Sequence, residues 1–137
     1  LKVLGNQKGF SLIELLVVLV IIGIIASVAV PRFVGTHDRA RVGAAVADMD
    51  LFRQALGIYE TEYADYPTSD YNSVAGLTAV LVDPNGLAYM VLPDGNNFGS
   101  FSYQYDNSII PTSYTIIATA LDNGNTTLNG TPDGISY

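Results

Sequence analysis

The stretch from Lys8 to Phe33, KGFSLIELLVVLVIIGIIASVAVPRF, decides how the rest of the chain is read. From Leu15 to Pro31 it holds 17 residues without a charge, 14 of them Ala, Val, Ile or Leu. Taken from Phe10 to Val30 it has 21 residues, about 30 Å of helix, enough to cross the hydrocarbon core of a bilayer. Lys2 and Lys8 precede it and no acid does. That basic flank predicts a cytoplasmic N-terminal end and a body beyond the membrane, although Arg32, Arg39 and Arg41 weaken the asymmetry. An ordinary secretory signal peptide shares the basic start and the apolar stretch, with Ser27-Val28-Ala29 as its small-x-small cleavage site. Two features speak against it. Glu14 places a carboxylate at the edge of the apolar run, and helical periodicity continues past the supposed cut.

The composition supports the same division. The chain has 137 residues, a formal net charge of −7 and a mean hydropathy of +0.30, high for a soluble domain. It has no Cys, which excludes a disulfide scaffold, a Cys-based zinc site and a thiol nucleophile. Every basic residue lies at position 53 or earlier, and nine acids follow Ala55. An anionic body of this kind argues against nucleic-acid binding. Without residues 1–9, four Arg stand against thirteen acids, a side-chain charge of −9.

Beyond Pro31 the pattern turns amphipathic. Val42, Val46, Met49, Phe52, Leu56, Tyr59 and Tyr63 recur at steps of three and four, one helical stripe. Asp38, Arg41, Asp48, Arg53 and Glu60 fall on the polar side, with Asp50 and Arg53 spaced to pair. Asp65-Tyr66-Pro67-Thr68 reads as a stop, so the helix should end near Ala64. Pro31 removes one helical hydrogen bond and should kink the helix, and Gly23 adds a second soft point. Residues 65–137 read as a turn-rich β region, with turns at Asn85-Gly86, Asp94-Gly95, Asn123-Gly124, Asn129-Gly130 and Asp133-Gly134. One strand is expected around Phe101, Tyr103 and Tyr105, a more deeply buried one from Tyr114 to Ala120, and a short third near Ile135 to Tyr137. Val74 to Val82 reads as a short helix or a turn and helix. So small a body has a marginal core alone, and the helical stripe supplies its missing wall. The expected class is α+β, a long kinked N-terminal helix whose C-terminal half packs on a small antiparallel sheet. The expected segments are a leader (1–9), a transmembrane and filament-core helix (10–31), its amphipathic continuation (32–64) and a β-rich head (65–137).

The junction Lys8-Gly9-Phe10-Ser11-Leu12-Ile13-Glu14-Leu15-Leu16 resembles the processing site of type IV pilins and of the pseudopilins of type II secretion. The likeness is specific over residues 8–33, including Gly23, Pro31 and Phe33, and extends more weakly to the pair Tyr66-Pro67. It implies cleavage after Gly9 by a membrane-embedded prepilin peptidase and methylation of the new Phe10 amine. It further implies extraction from the inner membrane into a helical homopolymer by an assembly platform and an ATPase. Leu1 fits an alternative start codon, which would make the leader complete at nine residues. In this family the helix between the positions of Gly23 and Pro31 is often unwound in filaments.

Glu14 invites a physical argument of its own. A carboxylate in a membrane helix costs about 2.5–3.5 kcal/mol on insertion scales, so it should have a partner. The nearest cation after cleavage is the Phe10 amine, on the same chain or on the next subunit. The competing reading is that Glu14 merely favours the positive end of the helix. Phe10 and Glu14 are therefore the assembly candidates, Gly9 and Phe10 the processing site, and Gly23 and Pro31 the points of kinking or melting.

Other chemistry has little to stand on. His37 is the lone histidine and has no sequence partner for catalysis, so enzyme activity is not expected. If the chain is a major pseudopilin, the resemblance implies calcium in its last loop. Asp122, Asn123, Asn125 and Asp133 offer oxygen ligands, Asp122 and Asp133 being the metal candidates, but no fixed ligand spacing is recognisable. No cofactor is therefore expected, with calcium as the alternative. Tyr59 and Tyr63 have the spacing of core packing, which is preferred to a conducting tyrosine path through Tyr66. The expectation is a structural subunit of a type IV pilus-like filament, serving adhesion, motility or secretion from the cell surface or periplasm. The alternatives are a major pseudopilin, a minor pilin, or a secreted binding domain with Val30 as its mature N-terminus.

Overall fold

The computed structural model describes residues 9–108 and 112–137, the side chain of Val34 excepted. Residues 1–8 of the expected leader thus lie outside the described residues. Helix α1 runs Leu12–Tyr63, 52 residues, and passes through Gly23 and Pro31 without a break. A five-residue helix α2 (Val74–Thr78) follows, and then strands β1 (Phe98–Asp106), β2 (Ser113–Ala120), β3 (Thr127–Thr131) and β4 (Gly134–Ser136). The four strands form one antiparallel meander in the order β1-β2-β3-β4. The α+β class expected from sequence is the observed one.

The chain divides into two compact units, Leu1–Thr36 and His37–Tyr137. In the first, the side chains from Leu12 to Phe33 find little cover, and the helix is long and apolar enough to cross a membrane. In the second, the stripe on α1 forms a wall as expected. Met49, Phe52 and Leu56 are wholly buried with Ala45 and Ala55, in one cluster with Tyr103, Tyr114, Ile116, Ala118, Ala120 and Leu128 from the strands. The contact with β3 is tight, because a Cβ on Gly130 would come within 2.8 Å of Met49 Sδ. Tyr63 departs from the expectation of core packing. It is 44% exposed, and its ring stacks on Tyr59 with centroids 4.4 Å apart. It lies at the end of the helix, beyond the reach of the sheet-facing cluster.

Strand β2 shows the simplest pattern, with Tyr114, Ile116, Ala118 and Ala120 buried and their neighbours partly exposed. It is thus buried on one face, as a strand of a one-sided sheet should be. Strand β1 starts at Phe98, three residues before the expected aromatic alternation. A register shift between Phe98 and Ser100 lets Phe98 share the inner face with Phe101, 5.8 Å away by ring centroid. The extra residue of a bulge reverses the alternation and so disguises the strand's start. Strand β3 was not expected at all: its TLNGT sequence has one large apolar side chain, Leu128, which is buried. The outer edge of β1 is covered at one point by Tyr71, which exchanges backbone hydrogen bonds of 3.0 and 2.7 Å with Tyr103. Such cover blunts an edge that would otherwise template pairing with another chain.

Helix α1 stops where the sequence predicts. Ala64 takes φ +59° as its amide closes on the Glu60 carbonyl at 2.8 Å. Asp65 then gathers the turn. Its Oδ1 accepts from the Tyr66 amide (2.8 Å) and the Thr112 hydroxyl (2.6 Å), and its Oδ2 accepts from the Tyr105 hydroxyl (2.9 Å). These bonds hold its carboxyl below the usual range, the Thr112 hydroxyl contributing most. The Tyr66 ring meets Tyr114 edge-on at 4.8 Å, and the Pro67 carbonyl accepts from the buried Tyr103 hydroxyl at 2.9 Å.

Candidate processing and assembly site

The residues of the junction lie at the start of α1. Gly9 is exposed, and a Cβ placed on it would meet nothing within 4 Å. Phe10 is 84% exposed. Phe10, Ile13, Glu14, Val17 and Val18 line one apolar surface of the helix start, so the two assembly candidates share a face.

Glu14 has a partner that the sequence reading passed over. Ser11 Oγ accepts from the Ile13 amide at 3.3 Å, and Glu14 Oε2 accepts from the Ser11 amide at 3.0 Å. This reciprocal arrangement is a capping box, which satisfies amides left unpaired at a helix start. The signal was available in Ser11-Leu12-Ile13-Glu14, a Ser three residues before Glu and ahead of an apolar run. In this chain the carboxylate thus caps the helix start.

Gly23 has nothing within 4 Å of where a Cβ would stand, and its helical surroundings are regular. Pro31 lacks the amide that would reach the Ser27 carbonyl, and the Ser27 hydroxyl donates to the Ile24 carbonyl at 2.7 Å. Both candidates for melting therefore sit in intact helix here. The expected Asp50–Arg53 pair is formed at 2.7 Å. Arg53 does more than the spacing implied: its Nε and Nη2 donate to the Thr131 and Pro132 carbonyls at 2.7 and 3.0 Å, tying α1 to the β3–β4 turn.

His37 is exposed on α1. All thirteen acids lie among the described residues, and no group of three that could hold a metal occurs there. Both carboxylate oxygens of Asp122 accept from Thr126, from its amide and its hydroxyl, each at 2.7 Å. These bonds lower its pKa, the hydroxyl most. Asp133 is exposed in the β3–β4 turn. Calcium takes six to eight oxygens as a rule, and among the described residues no three carboxylates gather to supply them.

The chain is similar in sequence to known proteins over part of its length. The model of the prokaryotic N-terminal methylation motif matches residues 4–30. Three proteins named type II secretion system core protein G are similar to the chain. That of Vibrio cholerae is 34% identical over 103 residues, 75% of this chain and 64% of the relative. That of Klebsiella michiganensis is 37% identical over 84 residues, 61% and 59% of the two chains. That of Pseudomonas aeruginosa is 38% identical over 81 residues, 59% and 54%. The matched part thus spans less than two thirds of the length of these relatives. No solved structure matches the chain significantly. The motif at the helix start, the helix-on-sheet fold and these relatives agree, and together they support a pilin or pseudopilin family for the chain.

Proposed function

We propose that the chain is a major pseudopilin, the polymerising subunit of a type II secretion system. The observation that carries this reading is the likeness to relatives named as core protein G of that system, at 34–38% identity. It reverses the order expected from sequence, in which a pilus subunit stood ahead of a pseudopilin. The motif supports cleavage after Gly9 by a prepilin peptidase and methylation of Phe10. The apolar surface of α1 from Leu12 to Phe33 supports anchoring in the inner membrane before assembly and burial against other copies afterwards. The chain is then the substrate of an enzyme and a building block, with no catalysis of its own. The acidic head faces the far side of the membrane, where it would meet the secretion machinery rather than nucleic acid.

A type IV pilus subunit is the second reading, favoured by the β2–β3 loop, whose one carboxylate, Asp122, is held by Thr126 rather than turned to the calcium that the resemblance implies for major pseudopilins. Deleting the gene separates the two. The pseudopilin reading predicts that enzymes normally exported to the medium accumulate in the periplasm while surface pili persist. Lost pili with normal export would establish the second reading instead.

A further inference from the structure

The loop between β2 and β3 is closed by a guanidinium and two aspartates. Arg41 Nη1 donates to the Leu121 carbonyl at 2.7 Å. Asp38, one turn earlier on α1, accepts from Asn123 through both oxygens, from the amide at 3.3 Å and the side chain at 3.1 Å. Asp122 accepts from Thr126 as described, and its carbonyl accepts from the Asn125 amide at 3.2 Å. Asn125 stands at φ +48°, the left-handed conformation that turns the chain back into β3. Residues three apart on a helix share a face, which explains how Asp38 and Arg41 meet two residues of one loop, Asn123 and Leu121.

A divalent cation here would need the same oxygens with their lone pairs turned to a common centre. The opposite is built. Each oxygen of both carboxylates already accepts from an N–H or O–H group, and a permanently charged side chain holds the first carbonyl of the loop. We propose that Arg41 is the resident cation of the β2–β3 loop, and that with Asp38 and Asp122 it closes this loop without calcium. The calcium that the resemblance implies for a major pseudopilin is thereby replaced by a side chain that the helix supplies. This holds for either filament reading, since it concerns the fold of one subunit.

The test uses the full-length chain in detergent micelles, with EDTA or with millimolar calcium. Melting temperature and hydrogen exchange at the Asn125 and Thr126 amides are the readouts. The wild-type protein should melt at the same temperature and exchange at the same rates in both conditions. Arg41→Gln should lower Tm by roughly 2–6 °C and speed exchange of those two amides, again in both. Arg41→Lys, which keeps the charge, should restore part of the protection. A calcium-dependent rise in the Tm of the wild-type protein, or slower exchange in its loop, would overturn the proposal, and that arm needs no variant. Unchanged loop exchange in a folded Arg41→Gln protein would overturn it equally.

Discussion

Single residues hold the ends of the head's elements, and they do so through charge and conformation. Asp65 joins the end of α1 to Tyr105 on β1 and to Thr112 just before β2, and its pKa is lowered by those bonds. Asp83, Asp106 and Asp122 are lowered as well, by the Leu87 amide, the Ser108 hydroxyl and the Thr126 hydroxyl respectively. A folded-state pKa below the unfolded value means that the unfolded chain takes up protons first as pH falls. The stabilisation is complete above about pH 4, the unfolded value, and is lost as pH falls through the lowered ones. Thermal melts from pH 7 to pH 2 should therefore be flat at first and then fall steeply. Asp65→Asn should melt lower at neutral pH and show a shallower acid slope; an unchanged slope would deny Asp65 its share. Gly95 answers to conformation instead. It has φ +83°, and a Cβ there would lie 2.6 Å from Val74 Cγ2. Gly95→Ala should cost about 1–3 kcal/mol by chemical denaturation, from the left-handed backbone and the clash together.

At the scale of elements, helix and sheet depend on each other. Phe52 on α1 and Ile116 on β2 are both wholly buried in the one cluster. Phe52→Ala should cost about 3–5 kcal/mol and Ile116→Ala about 2–5 kcal/mol. Because the core is shared, each should unfold both elements in one transition, seen as coincident loss of helical and tyrosine signals. Separate transitions would show that the sheet stands without its helical wall. The sequence announced this wall clearly, since the stripe from Val42 to Tyr59 follows the helical period and needs no partner to be recognised. Strand β2 was legible for the same reason, with Tyr114, Ile116 and Ala118 alternating. Strand β3 was not, because Thr127, Asn129, Gly130 and Thr131 carry no apolar pattern, and its place comes from pairing with β2. The start of β1 was hidden by its bulge. At the candidate site, Gly9, Phe10 and Glu14 could be read from the chain, whereas the partner of Glu14 was legible only to a search for helix caps. The arms of Arg53 to Thr131 and Pro132 span 78 and 79 residues, a separation that no local pattern encodes.

For the whole molecule, charge and grease are sorted along the chain. The head carries nine acids after Ala55 without one base, and the exposed apolar residues of Leu12 to Phe33 form the other extreme. Assembly into a polymer would bury that apolar surface and leave Glu14 among neighbouring helices. Its capping bond survives in Glu14→Gln, since Gln also closes a capping box, but its charge does not. If the charge pairs with the Phe10 amine, Glu14→Gln should remain stable in the membrane yet enter filaments poorly, measured by shearing and blotting. Full incorporation would leave the cap as Glu14's whole role. A filament reconstruction should likewise show extended backbone between Gly23 and Pro31, and unbroken helix there would contradict a melting role. All of this presupposes one event at the start of the chain. Mass spectrometry of the N-terminal peptide, from protein isolated from its native membrane, tests it most directly. The account predicts a chain beginning at N-methylated Phe10; a chain beginning at Val30, or one still carrying Gly9, would contradict it.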